Sequence, residues 1–340
     1  MIFILIISLC IPIGVIYFFS RNNKTLAVIN EEENKNKFIK YAEFNVPFEA
    51  LEKAMKIDIN SHDKDIKINW IEILSYLASK YGGDFKTHYK GQDMDDIIKK
   101  INDGQSIEEL TKNMKTYNYF NEVYTAVLKE FIGNYKIQVD TNKETNEPIY
   151  EEKYGLKVFC PIAKTFPYQH YDDFGNRRTY GYSRPHLGHD MMAATGTPVV
   201  AIESGVVEVM GWNQYGGWRI GIRSFDKKRY YYYAHLRKDK PFNESISEGK
   251  VVKAGDVIGY IGRTGYSPNE NVNNIEISHL HVGLELIFDE SQKESNNEIW
   301  IDMYNIVRLL SKNQSEVKRV SETKQYYRKN DFSEALLDNN

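Results

Sequence analysis

The sequence predicts an all-β domain of antiparallel strands, preceded by a small all-α domain and an apolar segment able to span a membrane as a helix. Three observations predict it. Apolar residues recur at helical spacing between Val46 and Phe131. Beyond residue 153 they fall instead into short β-branched and aromatic runs broken by glycine. The opening stretch, MIFILIISLCIPIGVIYFFS, carries no charged side chain.

That first segment, residues 1–20, reads as a transmembrane anchor, because it lacks the basic leader and small-residue cleavage site of a removable signal. Arg21 and Lys24 follow it, which by the positive-inside rule favours a cytoplasmic C-terminal side. The function reached below requires the opposite orientation. Residues 21–40 are polar and charged, as expected of a tether. A helical domain is expected over 41–140, where Trp70, Ile71, Leu74 and Leu77 mark one amphipathic helix and Met94, Ile97, Ile98 and Ile101 another. Ser106 and Glu109 have the spacing of a capping box. YFNEVYTAVLKEFIG reads as a helix ended by Gly133. The polar segment 141–153, with Pro148, is expected to be a linker.

A β domain then spans 154–312, its last part, EIWIDMYNIVRLLS, returning to helical spacing. Residues 313–340 read as a charged tail, mobile or loosely helical. With 340 residues the chain is long enough for two folded regions. Its net charge of −3, without a basic stripe, gives no case for a nucleic-acid partner. Cys10 and Cys160 lie in unrelated segments and form no disulfide framework; Cys160 reads as a small buried hydrophobe.

Six of the eight histidines lie between His170 and His281. In SHLHVGLEL the alternation of a strand puts His279 and His281 on one face and Leu280 on the other. In RPHLGHDMMAATGTPVVA, His186 and Asp190 form H-x-x-x-D at a loop entering a strand. Imidazole and carboxylate are zinc ligands, and three protein ligands leave the fourth position of a catalytic site open. Two ligands from one segment and one from the other make that set, which frees an imidazole for proton transfer. His235, in YYYYAHL, stands at a strand end.

In this order the segments HLGHD, GTPVVAIESGVV, GWNQYGGW, YYYYAHL, VVKAGDVIGYIGRTGYS and SHLHVGLEL resemble the LytM and lysostaphin type of zinc endopeptidase, from about Gly155 to Phe288. The resemblance implies that His186, Asp190 and His281 bind Zn2+ and that His235 and His279 are catalytic. His189 has no counterpart among the ligands. Tyr180 and Tyr182 are candidates to line the cleft or steady an oxyanion, and Trp212, Tyr215 and Trp218 to face a glycan or peptide. The sequence departs from the family pattern in YSPNENVNNIEIS, which separates Gly265 from His279 and reshapes one cleft wall.

The implied function is a membrane-anchored zinc metalloendopeptidase, a hydrolase of bacterial peptidoglycan peptides. It would be single-pass, with its catalytic domain extracytoplasmic and a protein partner at the helical domain. A non-catalytic cell-wall-binding scaffold or activator is the alternative.

Overall fold

The structure is a computed structural model and describes residues 38–337, apart from 294 and 296. The anchor expected over 1–20 and most of the tether lie outside these residues. Among the described residues no helix is long and apolar enough to cross a membrane. From Phe38 onward the chain forms one compact unit.

Six helices come first: α1 (Phe48–Ser61), α2 (Trp70–Tyr81), α3 (Phe85–His88), α4 (Gly91–Asn102), α5 (Ile107–Thr111) and α6 (Tyr117–Leu128). α2 begins where the Asn69 side chain accepts hydrogen bonds from the backbone N–H groups of Ile71 and Glu72, and stops at Gly82 in the left-handed conformation. Its buried face is Trp70, Ile71, Ile73, Leu74, Leu77 and Ala78. The capping box of Ser106 and Glu109 forms at α5.

α6 ends at Leu128, short of the expected boundary, because Gly133 already belongs to a strand and pairs with Gly155. That strand, β1 (Ile132–Thr141), and β2 (Pro148–Leu156) make an antiparallel hairpin where a linker was expected. Residues 147–153 are exposed in succession, so no buried face imposes the apolar alternation that announces a strand.

The main sheet follows from β3 (Gln169–His170), after which β4 (Arg177–Arg178) and β5 (Arg184–Pro185) form a small hairpin of their own. Next come β6 (His189–Met192), β7 (Pro198–Val200), β8 (Gly205–Asn213), β9 (Gly217–Ser224), β10 (Arg229–Ala234), β11 (Val251–Val252), β12 (Val257–Tyr260) and β13 (His279–Leu286). Sheet order is β11-β8-β9-β10-β13-β6-β3, and β14 (Ile299–Ile301) also pairs with β13. Every pairing along this sheet is antiparallel. β14 replaces the first turn of the helix expected from Glu298, and α7 (Tyr304–Leu310) keeps the rest.

The tail also differs from expectation. β15 (Val317–Arg319) pairs with β16 (Tyr326–Arg328), and β17 (Phe332–Ser333) adds to β1 with Phe332 fully buried. Helices and sheet share one contiguous core, in which Leu74 and Val127 belong with Val282 and Leu284. Arg229, wholly buried, crosses the junction: it pairs with Glu203 and donates from Nη1 to the Ala126 carbonyl of α6 at 2.7 Å. An ion pair so enclosed must be completed by hydrogen bonds, and Tyr231 supplies another to Glu203 at 2.7 Å.

Candidate metal centre

β13 lies between β10 and β6, with Ala234 on one side of His281 and Asp190 on the other. Residues directly opposite on neighbouring strands share a face, so Asp190 and His281 point the same way. His279 joins them two residues along, and Leu280 turns into the core, fully buried. The same alternation sends His189 to the far face. There its Nε2 lies 2.8 Å from His170 Nδ1 and its ring packs on Tyr304, away from the Asp190–His281 pair.

His186 enters from the loop after β5 and closes a triangle. Its Nε2 is 3.1 Å from Asp190 Oδ1 and 2.9 Å from His281 Nδ1, and those two atoms are 3.0 Å apart. These are the residues among those described whose ligand atoms gather in a metal-holding group. Tetrahedral zinc, with bonds of about 2.0–2.1 Å, separates its ligand atoms by about 3.3 Å, so the triangle fits one ion.

The electrostatics agree with the geometry. Burial would depress His186, but Asp173 and Asp190 outweigh it and raise its pKa to about 9. Burial would raise Asp190, yet His186 and His281 hold it well below the usual carboxylate range. His281 moves the other way: burial lowers its pKa, with the Asp190 carboxylate opposing.

Two residues that sequence reasoning missed orient the set. Asp173 presents Oδ2 and its backbone carbonyl, each 3.2 Å from His186 Nδ1. Accepting that N–H leaves the Nε2 lone pair facing the triangle, as an outer carboxylate does for a metal-binding histidine. Arg178 donates from Nη2 to Asp173 Oδ2 at 2.7 Å and to Asp190 Oδ2 at 2.9 Å, so Asp190 keeps Oδ1 for the histidines. Neither residue has a periodic or spaced signal, because both sit in irregular or two-residue elements; only the fold reveals them.

His279 and His235 stand beside the triangle, each with Nδ1 turned to a backbone carbonyl. Nδ1 of His279 donates to the Ile277 carbonyl at 2.7 Å, and Nδ1 of His235 to the Thr264 carbonyl at 2.9 Å. A neutral ring whose Nδ1 is the donor keeps Nε2 as an acceptor. His279 Nε2 lies 3.7 Å from Asp190 Oδ1, and the His235 ring is centred 4.8 Å from that of His279 and 5.7 Å from that of His281. Burial, followed by the two neighbouring imidazoles, keeps His235 well below the usual histidine range and so neutral. Its φ of 59° is left-handed, rare outside glycine, and is held by its N–H to the Gly216 carbonyl at 2.7 Å. Such strain, of order 1–3 kcal/mol, persists where surrounding contacts fix it and concentrates at functional positions.

The other aromatic candidates divide. Trp212 and Trp218 pack edge to face, and Trp218 Nε1 donates to Asn271 Oδ1 at 2.9 Å, so both belong to the wall rather than to an open face. Tyr180, Tyr182 and Tyr215 gather near His235 with Tyr266. Cys160 is buried, and burial raises its thiol pKa, as suits a packing residue.

Residues 184–296 match the model of Peptidase family M23. The chain is 40% identical over 124 residues to the L-Ala--D-Glu endopeptidase of Bacillus subtilis, a match covering 36% of each protein. It is 42% identical over 83 residues to lysostaphin of Staphylococcus simulans, covering 24% of this chain and 16% of that one. The matches thus span about a third or less of these relatives. Among solved structures, a lytM protein of Ruminococcus gnavus aligns over 76% of this chain and 88% of its own, at 21% identity and a TM-score of 0.47.

Proposed function

We propose that the protein is a zinc-dependent endopeptidase that hydrolyses peptide bonds in bacterial peptidoglycan. The observation that carries this is the convergence of His186 Nε2, Asp190 Oδ1 and His281 Nδ1, with separations of 2.9–3.1 Å, beside two imidazoles held with Nε2 free. The family match and the peptidase names of the relatives support the same reading.

Zinc bound by His186, Asp190 and His281 would supply Lewis acidity, polarising a peptide carbonyl and acidifying a water. The chain's own residues do the rest. Asp173 and Arg178 hold His186 and Asp190 in place through the bonds described above. His235, kept neutral by burial, and His279, each with Nδ1 turned to a backbone carbonyl, accept the proton of the attacking water and return it to the departing amine. The backbone carbonyls of Thr264 and Ile277 fix the ring orientations and stabilise each imidazolium as it forms. Residues 1–20 are proposed to anchor the chain in the cell membrane, with the catalytic part on the extracytoplasmic side where the wall lies.

The test is hydrolysis of purified cell wall by the full-length protein. Release of new amino termini is expected, abolished by a chelator and restored by stoichiometric zinc. An intact wall with the zinc-loaded protein would instead mark a non-catalytic wall-binding domain.

A further inference from the structure

The β4–β5 hairpin sets two arginines directly opposite each other, Arg178 across from Arg184. Like charges in that position repel. Arg178 is neutralised by Asp173 and Asp190. Arg184 has no carboxylate partner among the described residues; its one protein hydrogen bond runs from Nη1 to the Tyr180 carbonyl at 2.8 Å. Its guanidinium instead sits among ring faces, 4.8 Å from the centre of Tyr215, 5.5 Å from Tyr266 and 5.9 Å from Tyr182.

The rings are themselves braced. Tyr180 stacks on Tyr266 at 4.8 Å and 10°, and both Tyr180 and Tyr182 meet Tyr215 edge to face. Tyr266 packs at 5.8 Å against His235. Tyrosine faces hold a cation in place without neutralising it, and they use none of the fork's donors, of which one goes to the Tyr180 carbonyl. Tyr182, 58% exposed, puts this cluster on the open rim. Arg184 stands two residues before His186, a reach of about 6.6 Å in extended chain.

We propose that Arg184, seated in this tyrosine cluster, is a carboxylate-binding subsite that selects peptides bearing a free carboxylate one or two residues from the bond to be cut. The proposal rests on the endopeptidase reading and names its substrate class. A carboxylate is the partner whose two oxygens match the guanidinium fork, and it would neutralise Arg184, the member of the arginine pair without a carboxylate of its own. The carboxylate can come from a branch of a peptidoglycan stem peptide or from its C-terminus, and the experiment separates the two.

Binding is measured by titration of the full-length His279→Ala protein, whose cleavage is expected to be about 10²–10⁴-fold slower, with three stem tetrapeptides. One has every carboxylate free, one has the branch carboxylate amidated, and one has the C-terminal carboxylate amidated. The free form is expected to bind about 10–100-fold more tightly than one of the amidated forms, which identifies the source. Adding Arg184→Gln should collapse that ratio to near one, and Arg184→Lys, which keeps charge but not the fork, should retain only part of it. Equal binding of all three peptides would overturn the proposal. So would an unchanged ratio in Arg184→Lys, a milder change that keeps the loop's charge if Arg184→Gln unfolds. A wild-type protein that shows the preference yet leaves the wall intact would refute the enzyme and keep the subsite.

Discussion

Replacing Gly188 by alanine is expected to empty the proposed metal site although none of its three proposed ligands is removed. A Cβ at that position would lie 2.4 Å from Cε1 and 2.5 Å from Nε2 of His281, and 3.0 Å from the Val282 carbonyl oxygen. The carbonyl belongs to β13, paired on both sides, and cannot retreat. The imidazole must move instead, and with it the Nδ1 that completes the triangle. Metal affinity should fall by at least about 10–100-fold, the scale of losing a residue that orients a ligand. Overpacking of this kind should also destabilise the fold by about 1–3 kcal/mol. Competition against a chromophoric chelator measures the first and denaturant unfolding the second; unchanged zinc affinity in the variant would show that His281 is not held as described.

The second large effect separates proton transfer from metal binding. His279→Ala and His235→Ala should each retain one zinc per chain, since neither side chain belongs to the triangle, and each should lose about 10²–10⁴-fold in cleavage rate. Metal content by mass spectrometry and initial rates on a defined peptide give the two readings. Loss of zinc in His279→Ala would move that residue into the ligand set. Full activity in either variant would remove it from the chemistry.

Much of this site could be read in the sequence, because strand alternation is a rigid rule: H-x-H on a strand must share a face. That Asp190 would stand directly across from His281 could not be read, since register depends on which strands become neighbours. Asp173 and Arg178 escaped for the same reason. Their role is defined by a contact to His186 and Asp190 across an irregular loop, which leaves no local pattern. His189 shows how far alternation settles a role: adjacent to Asp190 in sequence, it is turned to the opposite face and bonded to His170.

The fold was legible where burial imposes a period, as in α2 and the strands of the main sheet. It was obscured where strands are short or exposed. The β1–β2 hairpin presents a run of polar exposed residues and resembled a linker. The terminal strands are two or three residues long, held by backbone pairing, by buried Phe332, and by the ion pair of Lys157 with Glu334 at 2.5 Å. None of these gives a sequence window long enough to show a period.

The most direct measurement is anomalous X-ray scattering at the zinc edge from crystals of the full-length protein grown with zinc. One peak per chain is expected, at bonding distance from His186 Nε2, Asp190 Oδ1 and His281 Nδ1 together. A peak elsewhere, or none at that point with zinc in the crystal, would contradict the account.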